Sequence, residues 1–271
     1  MLYMIVAAIA GIVLIHVIHA LTLDRIIRYE EIPFCSQNLA SELNGYRVAF
    51  ISDVHLISES RLRNVVDELN RRGLDLLVLG GDYATITNIM QKRVDIMQKS
   101  LEILSEIKTT DGIYGVEGNH DNHIYLFETM RTLGMTPLSN NGYHIREGLY
   151  LAGLEDLWNR IPNVSQATAD SLPEDFVLLI SHNPDATMLQ DTKGVDLILC
   201  GHTHGGQISF FGFWAPFFAL TKSVTTYGQR FRSGWSRSLA GTPLFVSRGL
   251  GEYTPRVFAS PQVIIITLYT K

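Results

Sequence analysis

Short apolar runs alternate with amphipathic stretches from residue 46 onward, and this alternation limits the possible folds more than any other feature of the chain. "YRVAFIS" (46–52) predicts a buried strand, "RLRNVVDELNRRG" (61–73) an amphipathic helix ended by Gly73, and "LDLLVLGGD" (74–82) a second buried strand. Strand–helix units come first and consecutive strands come later. The pattern predicts an α/β fold with either one mixed sheet or two stacked sheets, and with helices outside.

The same criteria place the remaining elements. Helices are predicted over 91–107, 124–133 and 185–190. Strands are predicted over 143–146 and 150–154, and in "DFVLLISH" (175–182), "VDLILC" (195–200), "PLFVSRG" (243–249) and "QVIIITLY" (262–269).

Composition excludes several classes of protein. The net charge is −5, and the basic residues are scattered, so a nucleic-acid surface is not expected. The two cysteines, Cys35 and Cys200, lie far apart, which argues against both a disulfide framework and a thiolate metal site.

The first 23 residues form an apolar segment without a charged side chain, which is long enough to span a bilayer. A signal peptide is the alternative, but the segment lacks a basic start and a clear cleavage site. Arg25 and Arg28 follow the segment, which favours a single-pass membrane protein with its catalytic domain on the cytoplasmic side. We expect a transmembrane anchor at 1–23, a linker and lead-in at 24–45, and one catalytic domain at 46–271.

Polar loops follow the apolar strands of the predicted core. These loops read "SDVH", "GGD", "GNHD", "SHNPD" and "GHTHGG", and ligands of α/β sheets gather at the carboxyl ends of strands. Five of the nine histidines lie in these loops, at His55, His120, His182, His202 and His204. Singly, each polar residue is as well explained by a turn, a cap or a buried core histidine. Together they predict one shared site.

The donor types indicate which metals this site would bind. Imidazoles, together with Asp53, Asp82 and Asn119, form a nitrogen and oxygen set without thiolate, which suits Mn, Fe or Zn. The number of donors exceeds the needs of one ion. A pair of divalent or trivalent ions bridged by one carboxylate is expected, and such pairs serve in-line displacement at phosphorus.

In this order, "DVH" (53–55), "GD" (81–82), "GNHD" (118–121), His182 and "GHTH" (201–204) resemble the calcineurin-like metallophosphoesterase superfamily. The resemblance implies a four-layer sandwich of two mixed β-sheets flanked by helices, with a binuclear metal site at the strand ends. It assigns one metal to Asp53, His55, Asp82 and His204, and the other to Asp82, Asn119, His182 and His202.

The resemblance also implies the catalytic groups. His120 is the histidine that faces the phosphoryl group without binding metal. Asp121 either orients His120 or caps the helix that follows. The expected reaction is hydrolysis of a phosphodiester or pyrophosphate by a metal-bridging hydroxide. A phosphomonoesterase or protein phosphatase on the same fold, and a non-catalytic membrane scaffold, are the alternatives. A metallo-β-lactamase site would need an H-x-H-x-D-H cluster, which is missing from the sequence.

The segment "FFGFWAPFF" (210–218), called the aromatic lip below, holds six aromatic residues. Its default interpretation is a buried hairpin, and the alternative is a lipid-facing surface. The chain resembles the membrane-anchored bacterial branch of the superfamily, and some of its members cleave UDP-2,3-diacylglucosamine. A lipid-linked substrate is therefore a hypothesis. Arg248 and Arg256 are candidates for binding a substrate phosphate, although pairing with a carboxylate is the commoner role of arginine.

Overall fold

The computed structural model describes residues 1–85, 87, 89–251 and 255–271. The helices are α1 (Leu2–Leu21), α2 (Glu59–Arg72), α3 (Met90–Leu104), α4 (His123–Thr132), α5 (Val164–Ala167), α6 (Ala186–Leu189) and α7 (Pro216–Leu220). The strands are β1 (Arg28–Ser36), β2 (Arg47–Ile51), β3 (Leu76–Leu79), β4 (Ile113–Gly115), β5 (Thr136–Pro137), β6 (Asn141–Arg146), β7 (Leu149–Gly153), β8 (Phe176–Ser181), β9 (Leu197–Cys200), β10 (Gly234–Arg237), β11 (Pro243–Val246) and β12 (Gln262–Thr270).

The strands form two six-stranded sheets. The first sheet has the order β1-β12-β2-β3-β4-β5, and the second has the order β10-β11-β9-β8-β7-β6. Within the first sheet, β12 and β2 are antiparallel, whereas β2, β3, β4 and β5 are parallel. Within the second, β7, β8, β9 and β11 are parallel and the two edge strands are antiparallel. Both sheets are therefore mixed.

A hydrophobic core fills the space between the sheets. Val48 and Phe50 of the first sheet belong to the same buried cluster as Leu178 and Ile180 of the second. Neighbouring residues Ala49 and Ile51 point to the opposite face and pack in a different cluster with the helices. This alternation follows from the two-residue repeat of a strand, and it shows that the first sheet is covered on both faces.

Helices cover the outer faces and complete four layers. Helix α2 places Leu62, Val65, Val66 and Leu69 on one buried face, and it ends at Gly73, whose φ of 64° suits glycine. Residues of α2, α3 and α4 pack on the first sheet, and residues of α5 and α6 pack on the second. The predicted α/β fold, with two mixed sheets flanked by helices, is confirmed.

Residues 24–45, predicted as a linker and lead-in, contain a strand that sequence analysis did not predict. Strand β1 pairs in parallel with β12 over nine residues, from Arg28 opposite Gln262 to Ser36 opposite Thr270. The strand lies at the edge of the sheet and is exposed or half-buried throughout, so its sequence lacks a continuous apolar run. The boundaries of the three predicted segments stay a prediction.

Helix α1 has no buried residue and carries a mean hydropathy of 2.5 in its most apolar window. By length and composition it is able to cross a membrane. The predicted N-terminal apolar helix is therefore present.

Candidate metal centre

The polar loops that follow five parallel strands meet at one edge of the sandwich. Strands β2, β3 and β4 of the first sheet precede Asp53, Asp82 and Asn119, and strands β8 and β9 of the second precede His182 and His202. The backbone amide of His202 donates to Asp53 Oδ1 at 3.0 Å, which joins the two sheets at this edge. Chain segments up to about 150 residues apart thus meet here because the carboxyl ends of parallel strands share one edge.

Two groups of side chains in this region have the geometry of a metal site. In each group, one ligand atom of every residue lies within 4.8 Å of the others. The first group is Asp53, His55 and His204, and the second is Asp82, His182 and His202.

Asp82 lies between the two groups. Its Oδ2 is 3.5 Å from Nε2 of His55 and 3.4 Å from Nε2 of His182. Its Oδ1 accepts the backbone amide of His120 at 2.8 Å. The side chain is buried, so a single carboxylate oxygen faces both groups from a fixed position.

The other predicted ligands also lie close to one another. Nε2 of His55 is 3.2 Å from Nε2 of His204, which in turn is 3.5 Å from Oδ1 of Asp53. On the other side, Oδ1 of Asn119 is 3.1 Å from Nε2 of His182. All seven residues predicted as metal ligands are therefore brought together in one place.

Backbone carbonyls orient three of the imidazoles. Nδ1 of His55 lies 2.8 Å from the carbonyl of Ala84, and Nδ1 of His182 lies 2.7 Å from that of Gly80. In His202 it is Nε2 that lies 3.0 Å from a carbonyl, that of Val224. Because a carbonyl only accepts, each contacting nitrogen carries a proton, and the other nitrogen is the one that is available to a cation. This donor chemistry fits a metal centre.

The backbone at the site is strained. Asp53, His55, Asp82, His202 and His204 all have positive φ angles, between 42° and 70°. This region is unfavourable for residues other than glycine, and such outliers persist where surrounding structure holds them in place. The loops after β3 and β4 also approach each other closely, and only glycine fits at position 81. A Cβ atom at Gly81 would lie 2.6 Å from the backbone nitrogen of Gly118.

Burial and mutual attraction set the protonation of the site. Burial alone would raise the pKa of Asp82 and lower that of His182, but their attraction outweighs it, so the pKa of Asp82 lies well below and that of His182 well above the ordinary value. Burial lowers the pKa of His202 to about 3, with the neighbouring His182 adding to the effect. A cation held by Asp82 and His182 would displace the proton of this pair.

His120 and Asp121 have different surroundings. The His120 ring is partly exposed, and its Nε2 lies 3.9 Å from Asp82 Oδ2.

The buried Asp121 carboxylate accepts the backbone amides of Asp82, Tyr83, Ala84 and Gly118 at 2.8–3.1 Å. It therefore joins the loop after β3 to the loop after β4. The alternative that Asp121 caps α4 is wrong, because the N-cap is Asn122. An orienting role of Asp121 toward His120 stays a prediction.

Sequence reasoning missed one wall of the site. The ring of Trp158 meets the ring of His202 edge-on at 4.7 Å, and Nδ2 of Asn159 donates to the carbonyl of Asn119 at 2.9 Å. Both residues follow Asp156, whose carboxylate accepts the amides of Trp158 and Asn159. The only signal in the sequence was the loop after β7, which stands at the same edge as the metal loops.

The two arginines proposed for phosphate binding have other partners. Arg248 is paired with the carboxylate of Glu30 and donates to the carbonyl of Ser260. The buried Arg256 donates to three backbone carbonyls, and one of its nitrogens lies 3.4 Å from Nδ1 of His204. Arg256 thus contacts the loop after β9 through His204.

Comparison with known proteins agrees with this geometry. The profile of the calcineurin-like phosphoesterase family matches residues 46–206, a range that begins just before β2 and includes every residue of both candidate metal groups.

Three similar proteins come from distant organisms. An "uncharacterized metallophosphoesterase" of Helicobacter pylori J99 is 27% identical over 250 residues, which cover 88% of this chain and 62% of that protein. A zebrafish "transmembrane protein with metallophosphoesterase domain" is 28% identical, with 82% and 52% covered. "Phosphodiesterase YaeI" of Escherichia coli is 28% identical, with 82% of each chain covered.

The chain thus spans less than two thirds of the length of the first two relatives. Within the matched range, the ordered motifs, the two sheets and the two groups of donors agree with one another. This chain belongs to the calcineurin-like phosphoesterase family.

Proposed function

We propose that this protein is a phosphoester hydrolase that works with two metal ions, of Mn, Fe or Zn. One ion is held by Asp53, His55, Asp82 and His204, and the other by Asp82, Asn119, His182 and His202. The proposal depends on a single observation, the position of the Asp82 carboxylate 3.4–3.5 Å from a histidine nitrogen of each group. A carboxylate oxygen has lone pairs for two cations, and its negative charge would offset part of theirs.

When bound, the ions supply positive charge for the phosphoryl oxygens and the acidity that turns water into a hydroxide nucleophile at neutral pH, for attack in line with the leaving group. Residues of the chain set the charge of the site and assist the leaving group. Asn119 is a neutral ligand, so the site stays positive and attracts a phosphate although the protein carries a net charge of −5. The partly exposed ring of His120 faces the same space from outside the ligand groups, where it either stabilises the developing charge or donates a proton to the leaving oxygen.

A phosphodiester or pyrophosphate is the proposed substrate class, and a lipid-linked compound such as UDP-2,3-diacylglucosamine is the proposed example. Two observations support this choice. The Escherichia coli relative is named a phosphodiesterase, and the zebrafish relative is named a transmembrane protein. In this proposal helix α1 is a single-pass membrane anchor, and Arg25 and Arg28 after it favour a domain on the cytoplasmic side.

The test uses the full chain in detergent, stripped of metal by a chelator. Mn²⁺, Zn²⁺ or Fe²⁺ is added back, and release of product is followed for a phosphomonoester, a water-soluble diester, a nucleotide pyrophosphate and UDP-2,3-diacylglucosamine. Turnover of the diester or a pyrophosphate, with the monoester at least about tenfold slower in kcat/KM, is the expected result. Faster turnover of the monoester would identify a phosphomonoesterase instead.

Asp82→Asn tests the metal bridge, and His144→Asn is its control, because His144 lies outside both groups and pairs with Asp175. Loss of the bridging charge is expected to lower kcat/KM at least about a hundredfold. If Asp82→Asn hydrolysed every substrate as fast as the unchanged protein, the activity would not come from the site around Asp82, and the two-metal proposal would fail.

A further inference from the structure

The aromatic lip, residues 210–218, is mostly exposed, so its default interpretation as a buried hairpin is wrong. Five of its six aromatic side chains are 38–66% exposed, and only Phe218 is buried. Exposed apolar groups of this size in one short segment are unusual on a protein surface and mark a contact surface.

Hydrogen bonds and packing contacts fix the backbone of the lip. The amide of Phe210 donates to the carbonyl of Trp214 at 2.6 Å, which closes a tight turn. The side chain of Gln229 bonds both the amide and the carbonyl of Ala215, at 2.9 and 2.6 Å. Ala215 and Phe218 pack against Gly206, where a Cβ atom would overlap that of Ala215. The exposed rings are therefore held outward by a fixed backbone.

The lip is continuous with helix α1. The ring of His16 stacks on Phe210 at 5.2 Å and meets Phe211 edge-on at 4.7 Å. An apolar groove of about 510 Å³ runs between the helix and this part of the domain, and its lining residues include Ile12, Ala20, Phe210 and Val257. Helix and lip thus form one apolar surface.

A buried carboxylate fixes the helix in this position. Oδ2 of Asp24 lies 2.6 Å from Nδ1 of His19, and the same carboxylate accepts the amides of Phe258 and Ala259 at 2.7 and 3.1 Å. The ring of His19 stacks on Phe258 at 3.8 Å. Because a buried carboxylate requires these partners, α1 is not joined to the domain by a loose tether.

The geometry of α1 gives the depth of His16 in a bilayer that the helix spans. The 20 residues of α1 span about 30 Å, the thickness of the hydrocarbon layer. His16 lies five residues before the last residue, Leu21, so its ring is about 8 Å inside that end. If α1 crosses a bilayer over its full length, the side chains that contact His16 enter the bilayer with it.

The charges near the lip suit a lipid surface. Residues 197–251 contain no Asp or Glu but five basic residues. Of these, Lys222, Arg230 and Arg237 are exposed, and Lys222 follows α7 by two residues. Basic side chains beside exposed aromatic rings are typical of surfaces that enter the headgroup region of anionic membranes.

We propose that the aromatic lip is a second membrane contact, which enters the headgroup and outer acyl region of the bilayer beside α1 and holds the metal centre against that surface. The contact partner is phospholipid. The lip begins six residues after His204, and its base packs on Gly206 of the same loop, so the site lies close to the lipid headgroups. This inference rests on the proposed anchoring through α1 and is independent of hydrolysis.

Tryptophan fluorescence tests the proposal with natural residues. In the full chain, Trp158→Phe with Trp235→Phe leaves Trp214 of the lip as the only reporter. The matched control, Trp158→Phe with Trp214→Phe, leaves Trp235, which is 49% exposed against 43% for Trp214. Trp235 stacks on Phe34, near the end of β1 that is distant from α1. Circular dichroism checks that both variants are folded.

Both variants are reconstituted into vesicles of phosphatidylethanolamine and phosphatidylglycerol that contain an acyl-brominated phospholipid. Resistance to carbonate extraction first shows that α1 is inserted. We expect brominated lipid to quench Trp214 at least about twofold more than Trp235, and aqueous acrylamide to quench Trp235 more than Trp214.

Three outcomes would overturn the proposal. Equal quenching of both reporters by acrylamide would place the lip in water. Protection of Trp214 from both quenchers would mean that protein, such as a second copy of the chain, covers the lip. Extraction by carbonate would refute anchoring through α1 and this inference together, while leaving the hydrolase proposal untouched.

Discussion

The backbone amide of Asp82 donates to Oδ2 of the buried Asp121 at 2.8 Å. Three further amides donate to the same carboxylate, so two loops from neighbouring strands share one acceptor. Four N–H groups need four lone pairs, and a carboxylate supplies them. The position of Asp82 between the two metal groups therefore depends on a side chain that is outside both groups.

We expect Asp121→Asn to weaken metal binding. An asparagine keeps one oxygen, and its amide nitrogen would face two backbone N–H groups, so the loop that carries Asp82 would shift. A fall of about 10- to 100-fold in affinity for Mn²⁺ is expected, as measured by calorimetric titration.

Asp175→Asn is the matched control for that experiment. Asp175 is also a buried carboxylate and accepts the backbone amide of Leu172 at 2.7 Å, but it pairs with His144 away from the metal groups. Its replacement is expected to lower thermal stability and to leave affinity for Mn²⁺ unchanged. Equal affinities for the two variants would show that Asp121 has no special role at the site.

Gly249→Ala is expected to disturb the site through Asp53. Gly249 has a φ of 69°, and a Cβ atom there would lie 2.5 Å from Cβ of Asp53. Gly134 has a similar φ of 75° but open space around its Cβ position. Gly134→Ala should cost only about 1 kcal/mol of unfolding free energy, while Gly249→Ala should cost more and also lower metal affinity. Chemical denaturation and metal titration of both variants measure the two effects.

His120→Asn is expected to separate catalysis from metal binding. His120 is outside both metal groups, so the variant should keep its metal content while kcat falls by about 100- to 10,000-fold, the usual contribution of a general acid. His182→Asn, in contrast, removes a donor and should lower the metal content. Metal analysis beside steady-state kinetics distinguishes the two, and loss of metal from His120→Asn would contradict the assignment.

Asp24→Ala is expected to destabilise the domain. The carboxylate satisfies two backbone amides and the hydroxyl of Ser260, at 2.7–3.1 Å, in a buried position. Its loss leaves these donors unsatisfied and should cost about 3 kcal/mol, which corresponds to a fall of roughly 5–10 °C in the unfolding midpoint. Asp191→Ala, at a carboxylate that is 68% exposed, is the control and should have little effect. Thermal scans in detergent compare the two variants.

Much of the fold was predictable because its core strands are continuous apolar runs that end in glycine, aspartate and histidine. Strands such as β2, β3, β8 and β9 are buried on both faces and stand out in the sequence. Strand β1 did not, because an edge strand exposes one side to solvent and its stability comes from pairing with β12, more than 200 residues away along the chain.

For the aromatic lip, the sequence alone did not distinguish a buried segment from an exposed one. Its composition is compatible with a core or with a surface, and only the contacts of Phe210 with His16 and of Ala215 with Gln229 decide that its rings point outward. The roles of Arg248 and Arg256 were undecided for the same reason, since a guanidinium group takes whichever acceptors the fold brings to it.

By itself, the sequence determined which donors exist and that they follow the ends of strands, because a local pattern of apolar residues and turn residues sets where each strand stops. The tertiary structure alone decided that Asp82 faces both groups of donors, that Asp121 holds two loops together, and that Asp24 fixes α1 to the domain. These relationships join residues dozens to hundreds of positions apart, and their distances arise from the packing of two sheets, which no local pattern encodes.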